Sequence, residues 1–290
     1  MKVIITGATG FIGQNLIGKI SKKKWKTICV ARNIAKNLKF LKNKKFNNIE
    51  YFQNDIYSKK TDIFKILGKP DVLIHLAWSG LPNYQEEFHI KKNLPNEKKF
   101  LSKALKAGVK HIIISGTCFE YGKQEGKLDE NKVTKPFTKY GLAKDLLRKY
   151  LEKKQINNDF TLQWLRIFYV YGHKQNPNSL FPVLKKSIAK KDKYFYVAKG
   201  KILRDFININ IVTKFIVFLC QNKNIHGVIN CCSGVPLSIK DFVQIYIKKR
   251  KSKIKVKVGN FKKPRYEPVS FWGSQFKMKS SSFKFKNKFF

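Results

Sequence analysis

Tyr140 and Lys144 stand four residues apart in the run Tyr140-Gly141-Leu142-Ala143-Lys144, so a helix through this segment carries both on one face. An ammonium beside a phenol stabilises the phenolate and draws its pKa down. A phenol tuned in this way exchanges a proton with an alcohol/ketone pair. A hydroxyl such as that of Thr117, in Ser115-Gly116-Thr117, is suited to hold the substrate oxygen. The chemistry such a set implies is hydride transfer with the proton handled by tyrosine. Tyr150 and Lys154 repeat the same spacing, as expected in a lysine-rich chain. Pro136, Phe137 and Thr138 mark a helix start just before Tyr140, which places it near a sheet edge, whereas Tyr150 falls mid-helix.

A hydride needs a carrier, and the first residues provide a place for one. The apolar run Val3-Ile4-Ile5-Thr6 leads into Gly7-Ala8-Thr9-Gly10-Phe11-Ile12-Gly13. In such a turn the first glycine permits the bend, the second lets backbone approach a pyrophosphate, and the third lets helix pack on strand. Free N–H groups at the helix start then face the anion. The pattern Phe11, Ile12, Leu16, Ile17, Ile20 gives the helix that this reading requires.

These residues must be positioned by alternating strands and helices. Apolar runs at 3–6, 25–31, 49–52, 72–77, 111–115 and 161–168 alternate with helical patterns, notably 88–107 and 138–152. This rhythm predicts βαβ units and a parallel sheet with its ligand at the carboxyl ends of the strands. After Tyr171 prolines and glycines break the rhythm. Segments 205–211 and 227–232 read as strands with a helix between, returning toward the main sheet. The expected architecture is α/β: a Rossmann-type doubly wound parallel sheet over 1–170 and 203–235, with a smaller, discontinuous C-terminal substrate lobe over 171–202 and 236–290.

Composition narrows the partners. The chain has 290 residues and a formal net charge of +43. Nucleic-acid binding, attraction to an anionic substrate or membrane, and biased composition compete to explain this charge. Lysine is spread along the chain onto expected solvent faces, which favours composition. No helix-turn-helix, RNA-binding signature or single basic stripe supports a specific nucleic-acid module, and no apolar run is long enough for membrane insertion. The five cysteines, Cys29, Cys118, Cys220, Cys231 and Cys232, show no Cys-x-x-Cys pair, so no metal site is expected. A cytoplasmic location is expected from the thiols and from a first strand with no leader before it.

The order of Thr6–Gly13, His75-Leu76-Ala77, Asn93, 115–122, Tyr140–Lys144, 165–172, 204–210 and 227–234 resembles the extended short-chain dehydrogenase/reductases of the NAD-dependent epimerase/dehydratase group, which act on nucleotide sugars. The resemblance implies Thr117, Tyr140 and Lys144 as the catalytic set, with Lys144 also holding the nicotinamide ribose. It places Gly7, Thr9, Gly10, Phe11, Ile12, Gly13, Arg32, Asp55, Ile56, Leu76, Ala77 and Asn93 at the cofactor. Ser79, Arg204 and Arg265 fall at the substrate, Arg204 near its diphosphate or, alternatively, in an ion pair with Asp205. It also implies a homodimer built on helices 88–107 and 138–152.

Departures from the group's patterns point to one branch. The 4,6-dehydratases carry Asp and Glu after the threonine; here stand Cys118 and Phe119, and a phenyl ring carries no proton. Tyr169 stands where UDP-sugar 4-epimerases often have Asn. Arg32 follows the second strand where NAD enzymes usually place a carboxylate, which favours NADP and leaves NAD possible. The runs Trp78-Ser79-Gly80-Leu81-Pro82-Asn83-Tyr84, Pro264-Arg265-Tyr266-Glu267-Pro268 and Phe271-Trp272-Gly273 resemble deoxysugar reductases. The expected activity is NAD(P)H-dependent reduction of a nucleotide-linked 4-keto-6-deoxyhexose, with dTDP as nucleotide. The alternatives are a redox-neutral nucleotide-sugar epimerase, with Cys118 a candidate extra acid/base, and a non-catalytic dinucleotide-sensing, nucleic-acid-binding module.

Overall fold

A computed structural model describes residues 1–34, 46–198, 202–259, 265–285 and 289. Pro264 of the 264–268 run lies outside them. A parallel seven-stranded sheet forms the centre, made of β1 (Lys2–Thr6), β2 (Lys26–Ala31), β3 (Ile49–Gln53), β4 (Val72–His75), β5 (His111–Thr117), β7 (Thr161–Ile167) and β11 (Gly227–Cys231). Its order is β11-β7-β5-β4-β1-β2-β3, the Rossmann-type arrangement. The strands read as apolar runs because helices cover both faces of a parallel sheet; β4 is buried throughout.

The two faces carry separate cores. On one, α1 (Phe11–Ile20) packs beside α6 (Ile209–Leu219), burying Leu16, Ile17, Phe215 and Ile216 against Val3, Ile5 and Ile74. On the other, α2 (Ile63–Leu67), α3 (Leu94–Lys106) and α4 (Lys139–Ile156) bury Phe64, Phe100, Leu101, Leu147 and Leu151 against Ile4, Leu73 and Ile112. Strand order reverses between β1 and β4, so a crevice opens at their carboxyl ends.

The chain leaves this sheet after β7. Strands β8 (Tyr169–Tyr171), β10 (Leu203–Asn208) and β12 (Pro236–Ser238) make a small sheet, while β9 (Tyr194–Ala198) pairs with β13 (Lys255–Gly259). Helices α5 (Leu180–Ala189) and α7 (Ile239–Lys249) close a third core around Phe181, Phe206 and Phe242. Strand β6 (Gly126–Leu128) takes β14 (Phe271–Gly273) as its partner. Segment 227–231 does return to the main sheet, beside β7. Segment 205–211 is a strand only as far as Asn208, whose side chain accepts from the Asn210 N–H and starts α6.

Among the described residues no helix is long and apolar enough to cross a membrane, and no cluster of His, Cys, Asp or Glu is arranged to hold a metal ion.

Candidate active site

The glycine turn forms a cradle at the end of β1. Gly7 adopts φ +71°, and a Cβ there would lie 2.6 Å from the Ala77 nitrogen. One on Gly13 would lie 2.3 Å from the Gly7 carbonyl oxygen. Strand, turn, helix and the Leu76-Ala77 segment are thus as close as backbone permits. Gly10 is the N-cap of α1 and supplies no side-chain cap, so the first N–H groups of the helix lack a capping side chain. These features fit a dinucleotide pyrophosphate. A Cβ at Gly10 would meet only the Gly7 oxygen, at 3.3 Å, and its φ of −76° suits any residue. Gly10→Val should therefore fold normally while its branches cover the anion face. Dinucleotide affinity, measured by calorimetry, should fall about tenfold or more.

Arg32, Asp55 and Ile56 gather at the ends of β2 and β3. Ala31 pairs with Gln53, Arg32 is exposed, and its charge is felt by the Tyr57 phenol. Beneath the cradle, buried His75 joins the Thr6 hydroxyl (2.7 Å) to Glu97 (2.5 Å), which also accepts from Tyr57 (2.5 Å). This network ties β1, β4 and α3 together below the turn.

Thr138 caps α4 by accepting from the Gly141 N–H at 2.9 Å, so Tyr140 falls in the first turn. Its otherwise orphan N–H donates to the Tyr84 carbonyl at 3.0 Å. The ring is buried between Trp78 (centroids 5.7 Å), Tyr84 (5.7 Å) and His89 (5.4 Å). Burial first, then Tyr84, Glu120 and Cys118, push the phenol's pKa up; the Thr117 side chain, which meets the phenol, opposes them. This corrects the expectation that Lys144 draws the phenol down. The Lys144 ammonium is engaged elsewhere: it donates to the Ser115 carbonyl at 2.8 Å and sits 3.9 Å above the Trp78 ring. Thr117, Tyr140 and Lys144 nonetheless converge at the carboxyl edge of β5, with a neutral phenol suited to give a proton.

Burial favours the neutral amine and lowers Lys144 from its ordinary 10.5 to about 8. The group is charged below that pH and loses its proton as pH rises through it. The unfolded chain still holds that proton up to 10.5, so stability rises with pH between the two values. Carbonyl reduction that uses the charge should fall along a single-proton limb above about pH 8. A kcat/KM profile with saturating cofactor checks this, and a profile flat to about pH 10 would remove Lys144 from the reaction.

The 78–93 segment holds groups that the sequence did not single out for the site. Trp78 Nε1 donates to His89 Nδ1 at 3.0 Å, and His89 Nε2 donates to the Asn83 carbonyl at 2.9 Å. The His89 tautomer is therefore fixed, and burial lowers its pKa. Asn93 donates to the Ser79 carbonyl at 3.0 Å, so Ser79 and Asn93 meet each other. The available signal was the four-residue spacing of His89 and Asn93, which aims both at the Trp78 loop.

Phe119 packs edge-on against Tyr84 (4.9 Å) and Tyr266 (6.0 Å). With Tyr140 and Trp78 they form an aromatic wall. Glu120 is turned into the protein, where it accepts from the Thr117 N–H (2.9 Å), Trp164 Nε1 (2.9 Å) and Arg166 Nε (2.8 Å). Cys118 joins the core of Tyr121, Phe168 and Phe271, and burial pushes its thiol up; an acid/base role does not suit it. Arg265 is exposed. Arg204 is 2% exposed, and its guanidinium is spent on protein groups: the Leu203, Val269 and Pro268 carbonyls and the Glu267 carboxylate. Asp205 is not its ion-pair partner. That carboxylate accepts backbone N–H bonds from Ser233, Gly234 and Gly273.

A doubly wound sheet, a glycine cradle and a Thr-Tyr-Lys set at its crevice define an oxidoreductase of the short-chain dehydrogenase/reductase type. The model of the NAD dependent epimerase/dehydratase family matches residues 3–232, and the chain belongs to that family. It is 30% identical over 280 residues to dTDP-6-deoxy-L-talose 4-dehydrogenase (NAD(+)) of Aggregatibacter actinomycetemcomitans, covering 95% of this chain and 100% of the relative. It is 27% identical over 255 residues to GDP-6-deoxy-D-talose 4-dehydrogenase of the same organism, covering 84% and 79%. Its fold is similar to that of UDP-N-acetylglucosamine 4-epimerase from Methanobrevibacter ruminantium M1, solved with UDP-N-acetylmuramic acid, at TM-score 0.83, 22% identity and coverage of 98% and 92%.

Proposed function

We propose that this enzyme interconverts ketone and alcohol at C4 of a nucleotide-linked 6-deoxyhexose, acting as a 4-ketoreductase with dTDP as the favoured nucleotide. The observation that carries the reading is the Tyr140 ring held between Trp78 and Tyr84, with Phe119, packed on Tyr84, standing where a dehydratase would need a carboxylate. A relative whose name specifies 4-dehydrogenation of a dTDP-6-deoxyhexose supports it, since that is the same redox couple.

Gly7, Gly10 and the α1 N-terminus would hold the dinucleotide, with Leu76 and Ala77 beside it. When bound, the cofactor supplies the hydride. The Thr117 hydroxyl holds the keto oxygen. Tyr140 gives its proton to that oxygen as charge develops there. Lys144, anchored on the Ser115 carbonyl, holds the ribose. Trp78, pinned by His89, keeps the ammonium in place. The aromatic wall offers an apolar surface to the sugar's C6 methyl.

Arg32 is the group suited to a 2′-phosphate, so we carry NADP as preferred, while the relative's name supports NAD; kcat/KM with each cofactor, before and after Arg32→Ser, separates them. We extend the reading to a sugar-nucleotide lobe over 171–202 and 236–290. We extend it also to a cytoplasmic homodimer joined by α3 and α4, where Leu146 and Ile156 are exposed; light scattering tests the dimer. For the reaction, the protein is incubated with NADPH or NADH and dTDP-4-keto-6-deoxyglucose or related keto-sugars. Stoichiometric loss of nicotinamide absorbance is expected. Sugar conversion without net cofactor oxidation would replace the reading with a redox-neutral epimerase, and no conversion of any keto-sugar would reject it.

A further inference from the structure

We propose that Glu97 is a positioning residue for the adenosine end of the dinucleotide, acting through Tyr57 to hold the turn 55–58 that follows β3. This rests on the cofactor reading given above.

The sheet order sets which half of the cofactor lies there. Strands run β5-β4-β1-β2-β3 across the carboxyl edge. The pyrophosphate belongs at the glycine turn after β1, and the reacting nicotinamide beside Thr117 and Tyr140, on the β4–β5 side. The adenosine then extends the other way, over the ends of β2 and β3, where Arg32 and Asp55 are exposed.

The turn after β3 is closed on itself. Asp55 Oδ1 accepts the Tyr57 N–H at 3.1 Å, and the Asp55 carbonyl accepts the Ser58 N–H at 2.9 Å. Ile56 and Tyr57 also pack, partly buried, on the core beneath α2 and α3. Among the described residues, the only hydrogen bond from 55–58 to another element runs from the Tyr57 hydroxyl to Glu97 Oε1, at 2.5 Å. Burial, and then the Glu97 charge, push the Tyr57 phenol up, so it remains a donor.

Glu97 is itself fixed from the other side. It stands in the first turn of α3, where the helix dipole favours a carboxylate. It is fully buried, and its Oε2 meets His75 Nε2 at 2.5 Å. His75 Nδ1 meets the Thr6 hydroxyl at 2.7 Å, and the imidazole stacks on Phe100 at 5.1 Å. One carboxylate thus joins the turn after β3 to Thr6 and His75, the residues that lead into Gly7 and Leu76. A buried carboxylate of this kind adds little stability over apolar residues of similar volume. Its use lies in setting the adenosine turn against the glycine cradle.

Tyr57→Phe removes one oxygen and keeps the ring in its packing. Glu97→Ala breaks the same bond from the other end, whereas Glu97→Gln keeps an oxygen for the phenol and offers an amide to His75. Calorimetry or NMR titration gives Kd for ADP and for nicotinamide mononucleotide, the two halves of the cofactor, without turnover. ADP should bind about tenfold more weakly to Tyr57→Phe and to Glu97→Ala, and within about twofold of wild type to Glu97→Gln. The double variant Tyr57→Phe/Glu97→Ala should be no weaker than Glu97→Ala, because both changes break one link. Nicotinamide mononucleotide should bind Tyr57→Phe as it binds wild type. Unchanged ADP affinity in Tyr57→Phe, equal weakening of both halves, or multiplied effects in the double variant overturns the proposal. So does Glu97→Gln as weak as Glu97→Ala, which would make the charge and not the bond responsible. If Glu97→Ala does not fold, Tyr57→Phe and Glu97→Gln decide. Amide exchange at Tyr57 and Ser58 should quicken in Tyr57→Phe with the main sheet unchanged, and unchanged exchange rejects the tether. Wild-type protein that binds neither half would sink the cofactor reading alone, and exchange still judges the tether.

Discussion

Tyr140→Phe should reduce turnover of the keto-sugar by about 10²–10⁴-fold, the usual contribution of a positioned proton donor. The substitution removes one oxygen and keeps the ring, which is wedged among Trp78, Tyr84 and His89. The backbone bond from residue 140 to the Tyr84 carbonyl is untouched, so the first turn of α4 keeps its place. The cradle at Gly7 and Gly10 lies on other elements, and dinucleotide affinity should stay within about twofold of wild type. Single-turnover kinetics with preloaded cofactor separates the two quantities. Equal loss of affinity and rate would mean that the phenol holds the cofactor rather than serving the carbonyl, and an unchanged rate would remove Tyr140 from proton transfer.

Glu120→Ala should cost about 3–5 kcal/mol of stability, the range for removing one partner of a buried ion pair. The carboxylate is fully buried and paired with Arg166 at 2.8 Å, whose side chain is 2% exposed. Its loss leaves a buried guanidinium without its counter-charge and the Trp164 N–H without an acceptor. It also frees the Thr117 N–H, so the turn that presents the Thr117 hydroxyl loosens. Urea unfolding measures the first effect. A fall in kcat in the surviving folded protein measures the second. Stability within about 1 kcal/mol of wild type would show that water satisfies the freed guanidinium and indole N–H.

Much of this arrangement is legible in the chain itself. Strands of a parallel sheet are buried on both faces, so 3–5 in β1, 28–31 in β2, 72–74 in β4 and 112–114 in β5 stand out as unbroken apolar runs. Thr138 announces α4 and places Tyr140 in its first turn. Segment 205–211 misleads because Phe206, Ile207, Ile209 and Ile211 continue the apolar pattern across the end of the strand. Asn208, a side chain suited to start a helix, carried the correct boundary. The electrostatics of the site were less legible. Spacing places Lys144 on the face of Tyr140 but does not reveal that Trp78, sixty-six positions earlier, lies under the ammonium. Nor does local pattern show that Arg204 is consumed by a loop so distant in the chain. Both facts come from tertiary contacts between segments that are remote in sequence.

The return of the chain to the central sheet at β11 has a practical meaning for anyone dividing the protein. Trp164 and Arg166 of β7 face neighbours on both sides, and Gln163 through Ile167 pair directly with 227–231. A fragment that stops before position 227 would retain the dinucleotide cradle and the catalytic trio. It would also bare a long, apolar strand edge, an invitation to pair with another molecule. Such a truncation would be expected to precipitate instead of yielding a smaller working enzyme.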